Sequence, residues 1–346
     1  MDKKIISISL ANPRGFCAGV DRAIEIVEQS LDKYGAPIYV RNEVVHNKFV
    51  IESLKKKGAI FVNDLKLVPE NSYLIYSAHG VSKKVISDSD IYKLKSIDAT
   101  CPLVTKVHKE VNHYLKNNYE IIMIGHKGHP EVEGTLGQDP TSKKMHLIEK
   151  VSDIHYLNIS DENKIAYVTQ TTLSLDETKD VINELKSKFP MIEGPKADDI
   201  CYATQNRQDA IKQILPQADI LFVVGSKNSS NSNRLKELGE KKGIPSILID
   251  DMSDFNPTWL DNKKNIAITA GASAPEILIK QLTKLIQSHS NAIINEIDGP
   301  KENIKLEKQA AVKLHNTWKS SGNKYKPLFQ DNNGQFVWCA KQRRVP

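Results

Sequence analysis

The chain contains no apolar run near the roughly 20 residues needed to cross a bilayer. Its start, Met1-Asp2-Lys3-Lys4-Ile5, leads into only a short apolar stretch. Neither a membrane-spanning helix nor a secretory signal is expected. Cysteine is scarce: four in 346 residues, with no close pair and no CxxC. That argues against a disulfide framework and for a reducing, cytoplasmic setting. No basic stripe interleaved with aromatics runs through the body, so no nucleic-acid partner is expected. A flavin or nicotinamide fingerprint is also missing. The net charge of +6 does not alter this, because residues 301–346 hold ten Lys/Arg against three Asp/Glu and leave 38 basic and 39 acidic residues in the first 300. The basicity belongs to a tail, read as a loosely docked appendage with a helix around Leu306–Leu314. The length allows two or three domains with ample core.

What the chain does have is one pattern three times over. Cys17, Cys101 and Cys201 stand 84 and 100 residues apart. Each ends a strand-like segment: Ile5–Leu10, Lys95–Thr100 and Lys196–Ile200. Each opens a helix. Val20, Ala23, Ile24, Val27 and Leu31 follow the first cysteine, and Val104, Val107, Val111 and Leu115 the second, at helical spacing. After Cys201 the pattern is looser, with Ala210, Ile211, Ile214 and Leu215. Nearly continuous apolar strands come next, at Pro37–Val40, Glu120–Ile124 and Asp219–Val224, as in buried parallel sheets. They end in polar clusters in which His46, His129 and Ser229 lie 29, 28 and 28 residues after their cysteines. Each unit then repeats a helix and a short strand (Ala59–Val62, Met145–Ile148, Ser246–Ile249). A further strand (Tyr73–Tyr76, Ile165–Val168, Ile266–Thr269) leads to His79, Thr171 or Ser273.

Strand–helix alternation predicts an α/β fold with mainly parallel sheets. Ligand groups in such sheets gather at the carboxyl ends of strands, beside helix N-termini. We therefore expect three similar α/β domains, residues 17–100, 101–200 and 201–300, around a pseudo-threefold axis. Residues 1–16 would supply a strand closing the third domain, and 301–346 the tail. Each unit sends one cysteine and two polar clusters to a shared centre.

Three cysteines in register at helix N-termini suggest thiolate ligands rather than core thiols. Tetrahedral zinc usually takes four close-spaced Cys/His ligands, whereas iron–sulfur clusters accept separated thiolates. A four-iron cluster on three cysteines keeps one iron open for a substrate oxygen. Cys339, within Val337-Trp338-Cys339-Ala340 of the tail, is the alternative fourth ligand. His46, His79 and His129, with Ser229, Ser230, Asn231, Thr171 and Ser273, make a donor-rich anion pocket suited to phosphate. Ser229, Ser230 and Asn231 are N-cap residue types, and Pro102, Pro130 and Pro275 fit first helical positions. Glu131 is the candidate acid and Glu133 its rival; beside an anion and a cluster such a carboxyl group retains its proton.

These motifs carry a family resemblance. They are Asn12-Pro13-Arg14-Gly15-Phe16-Cys17-Ala18-Gly19-Val20, Ala99-Thr100-Cys101-Pro102, Gly128-His129-Pro130-Glu131-Val132-Glu133-Gly134, Thr169-Gln170-Thr171-Thr172 and the stretch Gly225–Leu235. From about Ile5 to Leu285 the chain resembles the LytB/IspH family of 4-hydroxy-3-methylbut-2-enyl diphosphate reductases. The resemblance implies reductive removal of the substrate hydroxyl as water, giving isopentenyl and dimethylallyl diphosphates, the last step of the non-mevalonate isoprenoid route. It implies one 4Fe–4S cluster on Cys17, Cys101 and Cys201, and a diphosphate held by His46, His79, His129, Ser229, Ser230, Asn231 and Ser273. Thr171 would position the hydroxyl and Glu131 supply the proton. A ferredoxin or flavodoxin would deliver electrons.

The competing class is a non-catalytic iron–sulfur redox sensor whose basic tail touches nucleic acid; a structural zinc protein is a third. Deleting residues 311–346 separates enzyme from sensor. We expect reductase turnover with an artificial electron donor to survive the deletion, whereas a sensor would lose partner binding in a pull-down or shift assay.

Overall fold

The computed structural model describes residues 5–302 except Ser142, then 304, 306 and the strand pairs 312–313, 329–330 and 336–337. The chain forms three α/β units. The first carries α1 (Ala18–Tyr34), β2 (Ile38–Arg41), α2 (Lys48–Lys56), β3 (Ala59–Val62), β4 (Tyr73–Tyr76), α3 (Lys83–Ile91) and β5 (Lys95–Asp98). These strands pair in parallel in the order β5-β4-β2-β3. The second carries α4 (Pro102–Lys116), β6 (Glu120–Ile124), α5 (Pro130–Leu136), β7 (Met145–Ile148), β8 (Ile165–Thr169) and α6 (Leu175–Lys188), with parallel order β7-β6-β8. The third carries α7 (Tyr202–Ile214), β9 (Ile220–Val224), α8 (Ser230–Lys241), β10 (Ser246–Ile249), β11 (Asn265–Ala270), α9 (Glu276–His289) and β12 (Asn291–Glu296). Its sheet runs β10-β9-β11-β1-β12, and β1 is Ile5–Leu10. The amino-terminal strand thus lies in the third sheet, parallel to β11 and β12.

The central strands β2, β4, β6, β8, β9 and β11 are buried on both faces, as their nearly continuous apolar side chains require. In β9, Ile220, Phe222 and Val224 enter one apolar cluster with Leu282 and Ile286, while Leu221 and Val223 enter another with Ile211 and Leu235. In β6, Ile122 and Ile124 face Leu185 and Phe189, and Ile121 and Met123 face Val107 and Val111.

Three expectations are corrected. Lys196–Ile200 is not a strand. Only Glu193 bridges Ala166 there, Pro195 has no N–H to continue a ladder, and the Asp199 carboxylate instead accepts the Thr169 N–H at 2.9 Å. Pro102 and Pro130 open their helices, but Pro275 stands one residue earlier, at the N-cap of α9. The tail does not begin loose. Glu302 pairs with the fully buried Arg207 at 2.9 Å, because a buried guanidinium needs a counter-charge. Of the expected helix at Leu306–Leu314, the pair 312–313 is extended and antiparallel to β5. The rest, apart from Leu306, and Cys339 lie outside the described residues.

Ile8, at 0% exposure in β1, tests the strand's place. Ile8→Ala should cost about 2–5 kcal/mol in urea denaturation. A loss under about 1 kcal/mol would mean β1 is not a core strand.

Candidate functional site

Each cysteine occupies the N-cap of a helix: Cys17 for α1, Cys101 for α4 and Cys201 for α7. Each is pinned by its backbone to the sheet that precedes it. The Cys101 N–H donates to Ala78 O at 2.9 Å, Cys201 to Thr171 O at 3.0 Å and Cys17 to Ala272 O at 3.2 Å. The acceptors belong to the turns after β4, β8 and β11, beside His79, Thr171 and Ser273. The three thiols and both sets of polar turns consequently meet in one cavity of about 100 Å³.

All twelve side chains singled out in the sequence line that cavity: Cys17, Cys101, Cys201, His46, His79, His129, Glu131, Thr171, Ser229, Ser230, Asn231 and Ser273. Glu133 does not; it is exposed, while Glu131 is 3% exposed. Val45, Ala78, Leu103, Val104 and Ala272 add apolar wall.

The thiols flank Gly19. A Cβ there would stand 2.7 Å from Cys101 Sγ and 3.9 Å from Cys17 Sγ, so a side chain at this position would crowd the Cys101 sulfur. The Cys201 sulfur accepts the Thr204 N–H at 3.4 Å and lies 3.2 Å from its hydroxyl. The helix N-terminus is not the only influence on these thiols. Burial pushes the Cys101 thiol up to about 12 and the Cys201 thiol up to about 11, and the neighbouring Cys17 adds to both. Desolvation outweighs the helix-end N–H groups in the metal-free cavity, and a bound cation would favour the thiolate forms.

The imidazoles form a second cluster. His46 stacks on His79 with ring centres 4.2 Å apart, and His129 meets them edge-on at 5.3 and 5.6 Å. Burial, reinforced by the other rings, holds His79 well below the ordinary histidine value and His129 down at about 3. His129 caps α5 by accepting the Glu131 N–H at Nδ1, 3.2 Å away. Its neutral tautomer therefore carries the proton on Nε2, the donor an anion needs. Ser229 caps α8, while Ser230 donates to Thr172 O and Asn231 bridges Thr204 Oγ1 and Ala272 N. Of the three cap-type residues only Ser229 acts as the cap.

Glu131 sits in the first turn of α5. Its Oε1 accepts the Thr171 N–H at 2.6 Å and its Oε2 lies 3.1 Å from the Thr171 hydroxyl. Burial pushes its carboxyl up to about 7, against these hydrogen bonds, which pull it down. A carboxyl so placed exchanges a proton near neutral pH.

Sequence reasoning missed Glu43, Arg207 and Thr204. Glu43 bonds His46 Nδ1 at 2.9 Å, and that ring holds its carboxyl below the ordinary range. Arg207 donates to Gly15 O at 2.7 Å and Phe16 O at 3.3 Å, directly behind Cys17. The signal for Arg207 and Thr204 was the loose apolar pattern of α7, whose buried face also holds Gln208.

With this geometry in place, comparison with known proteins gives a consistent result. A family model described as LytB protein matches residues 8–287. A 4-hydroxy-3-methylbut-2-enyl diphosphate reductase of Azoarcus sp. strain BH72 is 54% identical over 297 residues, covering 86% of this chain and 95% of its own. That of Photobacterium profundum is 52% identical over 312 residues, covering 90% and 100%. The solved E-1-hydroxy-2-methyl-but-2-enyl-4-diphosphate reductase of Plasmodium falciparum superposes with a TM-score of 0.82 at 42% identity, over 91% of this chain and 96% of that one.

The raised thiols are open to direct test. In metal-free protein at pH 8, iodoacetamide should alkylate Cys101 and Cys201 at least ~100-fold more slowly than in the urea-unfolded chain, read by peptide mass spectrometry. Equal rates would mean the thiols are not raised as described.

Proposed function

The chain belongs to the LytB protein family, and from that membership and the chemistry of the cavity we propose that it reduces 4-hydroxy-3-methylbut-2-enyl diphosphate to isopentenyl and dimethylallyl diphosphates. The observation that carries the reading is the convergence of three thiols, three imidazoles, a hydroxyl- and amide-bearing helix start and one buried carboxyl on a single cavity. An anion pocket beside a thiol set suits a substrate with a diphosphate at one end and a reducible C–O bond at the other. Capture of the diphosphate orients the reacting end, so remote binding energy serves the chemistry.

Cys17, Cys101 and Cys201 are the residues that would hold the cluster. A Cβ on Gly19 would press on Cys101 Sγ at 2.7 Å, so glycine keeps open the space beside that sulfur. Three thiolates drawn from separated chain positions suit a multi-iron 4Fe–4S cluster better than one zinc. When bound, the cluster supplies electrons and Lewis acidity for loss of the hydroxyl. His129 Nε2–H, His46, His79, Ser229, Ser230, Asn231 and Ser273 bind and orient the diphosphate. Thr171 positions the substrate hydroxyl. Glu131, fixed through both atoms of Thr171, holds a proton at Oε2 and releases it as the hydroxyl departs as water. Overall, two electrons and two protons are consumed for each C–O bond broken. A ferredoxin or flavodoxin is the electron donor of this reading, and the cytoplasm its compartment; among the described residues no helix is long and apolar enough to cross a membrane. The three units correspond to residues 17–100, 101–200 and 201–300, with 1–16 completing the third.

Anaerobic protein should contain iron and sulfide, and its EPR spectrum should change on adding the allylic diphosphate. Zinc in their place, or a spectrum indifferent to substrate, would refute the reading. Glu131→Gln should keep the cluster and the diphosphate affinity but lower turnover ~10²–10⁴-fold, the usual worth of a positioned acid. A parallel loss of affinity would remove Glu131 from that role.

A further inference from the structure

Glu43 lies outside the cavity lining, and its side chain is 40% exposed, yet it carries two bonds that bear on the site. Its Oε2 lies 2.9 Å from His46 Nδ1 and accepts the Asn228 amide at 2.6 Å. Glu43 and His46 belong to the turn after β2 in the first unit, and Asn228 to the turn before α8 in the third. Two more bonds cross the same seam: the Lys48 N–H donates to Ser226 Oγ at 3.2 Å, and the Ser273 hydroxyl to His46 O at 2.8 Å.

Resting on the diphosphate reading above, we propose that Glu43 is a positioning residue, holding His46 as the cationic imidazole of the anion site and tying it to the helix start of the third unit. A carboxylate on Nδ1 fixes the proton there. His46 Nε2 is buried without a partner on the cavity wall. A phosphate oxygen only accepts, so Nε2 can pair with it only when that nitrogen also carries a proton, which makes the ring an imidazolium. His129 differs: with Nδ1 accepting from Glu131 N, its neutral ring already presents Nε2–H. The groups facing this pair are His79 and His129 across the ring cluster and Lys55 of α2, which acts on the Glu43 carboxyl. Burial shifts His79 and His129 towards their neutral forms, and His46 is the ring of the three whose Nδ1 meets a carboxylate. Glu43 supplies its counter-charge, and no isolated ion is left in the wall.

The test is a double-mutant cycle on the cluster-loaded enzyme under anaerobic conditions. Affinity for the allylic diphosphate and for inorganic pyrophosphate is measured calorimetrically for wild type, Glu43→Ala, Glu43→Gln, His46→Ala and the Glu43→Ala/His46→Ala pair. We expect Glu43→Ala to weaken binding ~10–100-fold, the scale of a hydrogen bond to a charged group. Glu43→Gln, which keeps the shape and removes the charge, should fall in between. KM should rise while kcat is kept, since the loss is one of binding. In the His46→Ala background, Glu43→Ala should change affinity less than about twofold, because its route is through that ring. An undiminished effect in that background, or wild-type affinity in both Glu43 variants, overturns the proposal. If Glu43→Ala does not fold, the same cycle run with Glu43→Gln decides. Wild-type protein that loads its cluster but binds neither probe sinks the reductase reading itself, and this proposal with it.

Discussion

Three backbone hydrogen bonds, one per cysteine, hold this architecture to its purpose. Each joins the N–H of a helix-capping cysteine to a carbonyl in the polar turn of the preceding sheet. The cysteine is therefore the joint between one unit and the next. Cys101 ends the first sheet and starts the first helix of the second unit; Cys201 does the same from second to third. Cys17 completes the ring only because β1 is laid into the third sheet beside β11. No unit owns a complete set of anything. Any rotation between units displaces a thiol and a ligand-binding turn together.

Five titratable groups of the cavity made by this ring are pushed towards their neutral forms. His129, His79, Glu131, Cys101 and Cys201 are all shifted towards their neutral forms, with burial the largest cause in each. Water exclusion penalises every ion in the same way. A site in this condition gains most from a ligand and a metal that bring opposite charges, an anion at the imidazoles and cations at the thiols. The charged side chains close behind it have partners: Glu43 with His46 and Asn228, and Arg207 with Glu302. Arg207 also binds the carbonyls of Gly15 and Phe16. A buried cation thus braces the turn that carries Cys17, and the first residues of the tail are tied to the site through Glu302.

The site was legible in the sequence because it repeats. The register that aligns His46 with His129 and Ser229, and His79 with Thr171 and Ser273, records the strand ends that converge on the cavity. Apolar runs identified the parallel strands because strands buried on both faces lose their alternation. Side-chain connections across units were not legible. Glu43 is three residues from His46, but nothing local says that Asn228, 185 residues away, shares its oxygen. Arg207 reads as an ordinary surface helix residue until its partners at Gly15, Phe16 and Glu302 are known. The burial that raises two of the thiols was not legible for a related reason: a helix terminus is a local feature, and burial is set by the whole assembly.

Repetition with divergence also explains how binding and chemistry coexist in one cavity. The first unit places imidazoles at both register positions, and the third places hydroxyl and amide groups there. Only the second combines an imidazole with a threonine and adds Glu131. The bonds that fix Glu131, to the N–H and hydroxyl of Thr171, lie wholly within that unit. The bonds that place His46 cross from the first unit to the third. The Glu131–Thr171 pair is thus held within one unit, by the turn after β8 and the first turn of α5. The bonds around His46, by contrast, are shared across a polar seam between the first and third units. In the proposed reading, binding energy from the diphosphate acts across that seam while the Glu131–Thr171 geometry stays within one unit.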